Sequence, residues 1–189
     1  VQESAPGDKY IVGNTVLDNL VDIRPSYTND IVVTLHRREN HAEMDKWFTA
    51  INDIAIENPD YNFIIPLHPN PNVQKWSYIL KNVDVVAPIE YDEFINLISS
   101  CRLIITDSGG IQEEASFLKK KCIVCRNSTE RTEGLGTYSF LAKKPKELKK
   151  LFNRLIKNYK PSINSICPYG DGNSSQKILE ILKSMDICA

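Results

Sequence analysis

The chain has 189 residues, 42% of them hydrophobic, and a formal net charge of -1. That is enough to bury one sizeable core, so one domain is expected, and interspersed Lys and Glu leave no basic face for nucleic acid. No apolar run approaches the ~18 residues of a membrane helix, and the N-terminus, VQESAPGDKY, is polar rather than signal-like; a soluble, cytoplasmic protein with no membrane partner is expected.

Five cysteines, an odd number, do not form a disulfide framework. Cys122 and Cys125 make a CxxC, but within CIVC, an expected strand, residues three apart face opposite sides. With no second Cys or His pair nearby, they read as buried structural thiols and no metal is implied.

In chain order, residues 1 to 10 read as an irregular lead, and Tyr10 to Gly13 as the end of a strand that has lost its sheet. Asn14 or Thr15 can cap a short helix through Val16, Leu17, Leu20 and Val21, ended by Arg24-Pro25. DIVVTL (30 to 35) is a buried strand that delivers His36 to its carboxyl end, the edge where open parallel sheets bind ligands. Arg37 follows, adding positive charge there or making a structural salt bridge. From Glu43 to Glu57 apolar residues recur at helical spacing, and the aromatic stripe of Trp47 and Phe48 reads as core. Tyr61 to Leu67 is the second strand; His68-Pro69-Asn70 then turns the chain, with His68 a weaker ligand candidate than His36. Val83 to Val86 is a third strand, and Ile89 to Asp92 opens a helix carrying Phe94, Leu97 and Ile98.

The pattern is densest from Cys101 to Arg126. The apolar run Leu103 to Ile105 stops at Thr106-Asp107-Ser108-Gly109-Gly110, where helical spacing begins. Glycines there permit unusual backbone dihedrals and clear the way to backbone N–H groups, and the start of a helix suits a phosphate. Ser108 can cap the helix and donate to a phosphate oxygen. Glu114, four residues after Gly110, lies about one turn up the same face, where a carboxylate can accept both hydroxyls of a ribose. On these residues alone Ser108 is equally well an N-cap, with Glu113 and Glu114 favourable carboxylates near a helix start. Cys122 to Cys125 is the next strand, Asn127 to Thr137 a polar loop, Pro145 to Tyr159 a helix with a solvated lysine face, Pro168 to Gly172 a turn, and Ser174 to Met185 a closing helix. Strand and helix alternating at roughly 25 to 35 residues predict an α/β fold, a parallel sheet with helices on both faces.

VTLHRRENH (33 to 41), HPNPNV (68 to 73), DSGGIQEEA (107 to 115), STERTE (128 to 133), GNTVLDNL (13 to 20) and CPYGDGNSS (167 to 175) resemble the consecutive motifs of the non-hydrolysing UDP-N-acetylglucosamine 2-epimerases. The resemblance covers nearly the whole chain but only the C-terminal half of such an enzyme. It implies the Rossmann-like C-terminal domain of a glycosyltransferase-B type fold over residues 13–189, with 1–12 as a linker or the end of a missing N-terminal domain. The implied reaction interconverts UDP-N-acetylglucosamine and UDP-N-acetylmannosamine by eliminating and re-adding UDP, with no cofactor. As implied roles, His36 is catalytic at the diphosphate, Ser108, Gly109, Gly110, Glu114, Phe94 and Arg37 hold UDP with Phe94 against the base, and Thr129, Glu130 and Arg131 close on the sugar. Phe94 reads equally well as core. Thr132 stands where the family usually has proline, and the segment through Gly136-Thr137 is shorter than usual. The full-length enzyme is implied to be a homodimer, and its C-terminal half to be inactive alone. Two other classes share such a domain: a glycosyltransferase donor domain and a non-catalytic nucleotide-sugar binding module.

Overall fold

The apolar runs of the chain pair side by side into one sheet. The computed structural model describes residues 7–157, 159–161 and 164–185. Its strands are β1 (Asp30–Thr34), β2 (Asn62–Pro66), β3 (Asp84–Val86), β4 (Leu103–Thr106), β5 (Lys121–Cys125) and β6 (Ser139–Ala142). The α-helices between and after them are α1 (Met44–Glu57), α2 (Pro71–Gln74), α3 (Tyr91–Ser100), α4 (Gly109–Phe117), α5 (Pro145–Lys157) and α6 (Ser174–Ser184). Tight 3-10 turns cover Thr15–Leu20, Arg38–Glu43 and Ser77–Ile79.

The sheet order is β3-β2-β1-β4-β5-β6, and every pairing is parallel. This is the Rossmann-like α/β arrangement, with helices on both faces. The central strands are apolar on both sides because both faces are covered. Ile31, Val33, Leu103, Ile105, Ile123 and Cys125 pack toward α1 and α5. Val32, Ile104, Cys122 and Val124 pack the other way, with Leu17, Leu20, Ile95, Ile98 and Ala115. The two cysteines of CIVC therefore face opposite cores, and both are fully buried free thiols.

Tyr10 to Gly13 pairs with no strand of the sheet, and Ile11 is fully exposed. Two expectations need correction. β6 was not expected; four residues following a polar loop offer too short an alternation to read, and the strand is defined by its ladder to β5. The fifth helix ends at Lys157, and Tyr159 is non-helical.

Residues 13 to 20 join the body of the domain through the glycine-rich turn before α6. Asn14 N–H donates to the carbonyl of Tyr169 (2.9 Å), and Asp18 accepts the backbone N–H groups of Ser174 and Ser175 (2.9 and 2.7 Å). Gly13, at φ +90°, is required there, since a Cβ would lie 2.7 Å from Ser174 Oγ and 3.0 Å from Gly170 Cα. Among the described residues no helix is long and apolar enough to cross a membrane.

Candidate active site at the switch point of the sheet

β1 and β4 are neighbours whose chains leave in opposite directions, β1 toward β2 and β4 toward β5. A crevice opens at such a point beyond the carboxyl ends of the strands. His36 and Arg37 enter it from β1, and Asp107, Ser108 and Gly109 from β4.

Asp107, fully buried, binds the two sides together. Its Oδ2 accepts the backbone N–H groups of His36 (3.0 Å) and Arg37 (2.8 Å) and the Asn40 amide (3.0 Å). Asn40 also donates to the carbonyl of Cys125 (2.9 Å), adding β5 to the network. The turn after β1 is thus set by a side chain from the end of β4, far along the chain. Arg37 lies half-buried and makes no ion pair among the described residues.

The His36 ring stacks on that of His68, with centroids 4.9 Å apart and planes 11° from parallel. His68 Nδ1 accepts the N–H of Asn70 (3.1 Å), and His41 Nε2 lies 3.0 Å from the His36 carbonyl. Burial holds the His36 pKa below 6.5; the Asp107 carboxylate works against that, and the neighbouring His68, Arg37 and His41 add to it. The weaker of the two histidine candidates is therefore in direct contact with the stronger.

Helix α4 starts at the crevice, but not for all the expected reasons. Ser108 is at the N-cap with extended backbone, yet its side chain makes no capping hydrogen bond; its N–H donates to Thr106 Oγ1 (3.0 Å) and its carbonyl accepts from Gln112 Nε2 (3.1 Å). Nor do Gly109 and Gly110 use unusual dihedrals: both are helical, and neither has positive φ. What matters is the missing side chain. A Cβ on Gly109 would lie 3.1 Å from Glu130 Oε1 and 3.2 Å from Arg131 Cζ, while one on Gly110 would meet open space. Gly109 admits a loop, and Gly110 leaves the first turn of the helix open to solvent.

Glu113 and Glu114 diverge as the ~100° step per residue of a helix requires. Glu113 receives hydrogen bonds from the Asn14 amide and from Arg131 Nε, the latter at 2.7 Å. Glu114 receives the Tyr91 hydroxyl at 3.0 Å. Burial raises the Glu114 pKa above 4.5; the Tyr91 bond opposes this and Glu113 adds to it. Tyr91, with its own burial and the Glu114 charge, is pushed up to about 12. Phe94, one turn along α3, is half-buried against the core beneath.

The loop after β5 is pinned onto α4. Thr129 Oγ1 donates to Gln112 Oε1 (2.9 Å) and accepts the Arg131 N–H (3.1 Å). Glu130 contacts Arg131 and pairs with Arg126 (2.9 Å), which pairs with Glu39 (2.7 Å). Tyr169, from the turn before α6, donates to the Arg131 carbonyl (3.2 Å) and accepts the Gly134 N–H (3.1 Å). Arg131 is thus brought to the start of α4, beside the expected phosphate cradle. Asp107, Asn40, Tyr91 and Tyr169 do not stand out as site residues from sequence. Only Asp107 carries a signal there, a charged residue just past the apolar run Leu103 to Ile105 and directly after Thr106, the last residue of β4.

The sequence pattern of the UDP-N-acetylglucosamine 2-epimerases matches residues 2–183. The chain belongs to that family. Among its epimerase relatives, the UDP-N-acetylglucosamine 2-epimerase of Neisseria meningitidis is 37% identical, the match covering 96% of this chain and 57% of the relative. The crystal structure of the N. meningitidis UDP-GlcNAc 2-epimerase bound to UDP-GlcNAc superposes with a TM-score of 0.78 at 34% identity, over 92% of this chain and 54% of the other. A Staphylococcus aureus MnaA–UDP co-structure gives a TM-score of 0.81 at 28% identity, over 93% and 54%. The chain therefore spans a little over half the length of the epimerases it matches.

Proposed function

We propose that this chain is the UDP-binding half of a UDP-N-acetylglucosamine 2-epimerase, an isomerase that interconverts UDP-N-acetylglucosamine and UDP-N-acetylmannosamine. The observation that carries the reading is the meeting, at one switch point, of an open helix start at Gly110, Arg131 laid over Gly109, and His36 at the end of the adjoining strand. The relatives solved with UDP-GlcNAc or UDP share this fold.

In this reading the diphosphate meets the N–H groups at the start of α4, where the dipole favours an anion, together with the Ser108 hydroxyl and the charges of Arg131, Arg37 and His36. Glu114 accepts the ribose hydroxyls and Phe94 lies against the uracil. Thr129 and Glu130 hold the loop that approaches the sugar.

Inverting C2 requires a weakly acidic proton to leave. Removing it while the C1–O bond breaks turns the C2–H electron pair into a C1=C2 double bond, and UDP departs with the C1–O pair. Protonation of C2 from the opposite face and return of UDP to C1 give the epimer. The charge that develops is on the departing diphosphate, so preorganised donors and cations at that position lower the barrier. This chain supplies that stabilisation; the base at C2 belongs to the remainder of the enzyme.

Calorimetry tests the assignment. UDP should bind the chain, and UDP-N-acetylglucosamine should bind little more tightly, since the nucleotide contacts lie on this side of the cleft. A folded chain that does not bind UDP overturns it. Solvent deuterium should not enter C2 of UDP-N-acetylglucosamine mixed with this chain alone; exchange abolished by His36→Ala would place the proton transfer here instead.

A further inference from the structure

The hydrogen bonds that anchor the turn after β1 use one oxygen of Asp107. Oδ2 takes all three donors, His36 N, Arg37 N and Asn40 Nδ2. Oδ1 is buried and, among the described residues, accepts no hydrogen bond. A buried carboxylate oxygen left without a donor is costly, and anchoring the turn does not require it. His36 Nδ1 stands 3.7 Å away, so a small rotation within the histidine stack brings it to hydrogen-bond distance.

The groups around His36 give this second oxygen a purpose. His68 faces the ring from the end of β2, His41 and Arg37 from its own loop, and all three repel a second proton, as burial does. Asp107, from the end of β4, alone favours the charged form. We infer that Asp107 is a positioning residue for His36: Oδ1 holds the Nδ1–H of the imidazole, fixes the tautomer, and leaves Nε2 to carry the proton offered to an anionic ligand. The idea rests on the nucleotide reading above only for the identity of that ligand. A neutral His36 with its proton on Nδ1 takes a second one at Nε2 as the diphosphate arrives, and Asp107 stabilises the resulting imidazolium.

The test is 15N NMR of the histidine rings in this chain, with three histidines to resolve. In the neutral form His36 should be the Nδ1–H tautomer, whereas His68, whose Nδ1 accepts from Asn70, should be Nε2–H. Asp107→Asn should lower the proton affinity of His36 at least about tenfold and switch it to Nε2–H, because an amide N–H now points at Nδ1. The midpoints of His68 and His41 should move far less. An Nε2–H tautomer in the wild-type chain overturns the inference, as does an unmoved His36 midpoint in a folded variant; the wild-type tautomer decides the question even if the substitution disrupts the turn. UDP is titrated into the same wild-type sample. Absence of binding there overturns the nucleotide reading, and the tautomer still reports on Asp107 independently.

Discussion

The phenol of Tyr91 donates to Oε1 of Glu114 at 3.0 Å, joining the first turn of α3 to the second turn of α4. The bond fixes the orientation of a buried carboxylate. Tyr91→Phe removes it and should weaken UDP about 2- to 10-fold, the range of one net hydrogen bond. Calorimetry with dUDP should show a smaller effect, because the oriented carboxylate has one fewer ribose hydroxyl to hold.

The two neighbouring glutamates should separate by variant. Glu114→Ala should cost about 1–3 kcal/mol of UDP affinity, as for loss of charge-assisted hydrogen bonds, with the fold intact. Glu113 instead holds Asn14 and Arg131, so Glu113→Ala should lower thermal stability by about 1–3 kcal/mol and UDP affinity by less than Glu114→Ala does. The reverse order in calorimetry would mean that the helix is phased differently toward the ligand.

Gly109 and Gly110 offer a second contrast. Alanine at Gly110 meets open space and improves helix propensity by roughly 0.8–1 kcal/mol, so Gly110→Ala should raise the melting temperature. If the diphosphate lies against this turn, the same variant should bind UDP more weakly. Gly109→Ala should show no such gain, since its Cβ presses on Glu130 and Arg131. Thermal scans with and without UDP separate the two effects.

Stability should also depend on pH through Glu114. Burial raises its folded pKa above the unfolded 4.5, so its contribution is fully present below pH 4.5 and is lost as pH rises through the folded value. Glu114→Gln does not titrate there. It should be more stable than the wild-type chain at pH 7, with the difference shrinking toward pH 4, and should bind UDP more weakly throughout. Chemical denaturation at the two pH values checks the sign.

The apolar runs that became β1, β4 and β5, the stripe of α1, the helix start at Gly109 and the opposed faces of Cys122 and Cys125 follow from periodicity, a local property that the sequence by itself determines. Tertiary structure decided what periodicity cannot carry. β6 exists because β5 offers it a ladder, and the three-lysine run conceals Lys120, fully buried with Nζ 2.7 Å from the Cys101 carbonyl and 3.7 Å from the Tyr27 ring centroid. Likewise His36 meets Asp107, Tyr91 meets Glu114, and Tyr169 fixes Arg131 only once the strand order has brought distant turns to one edge. Spacing along a chain determines which face a residue presents, but its partner is set by which strands lie side by side, and that depends on burying both faces of the sheet at once.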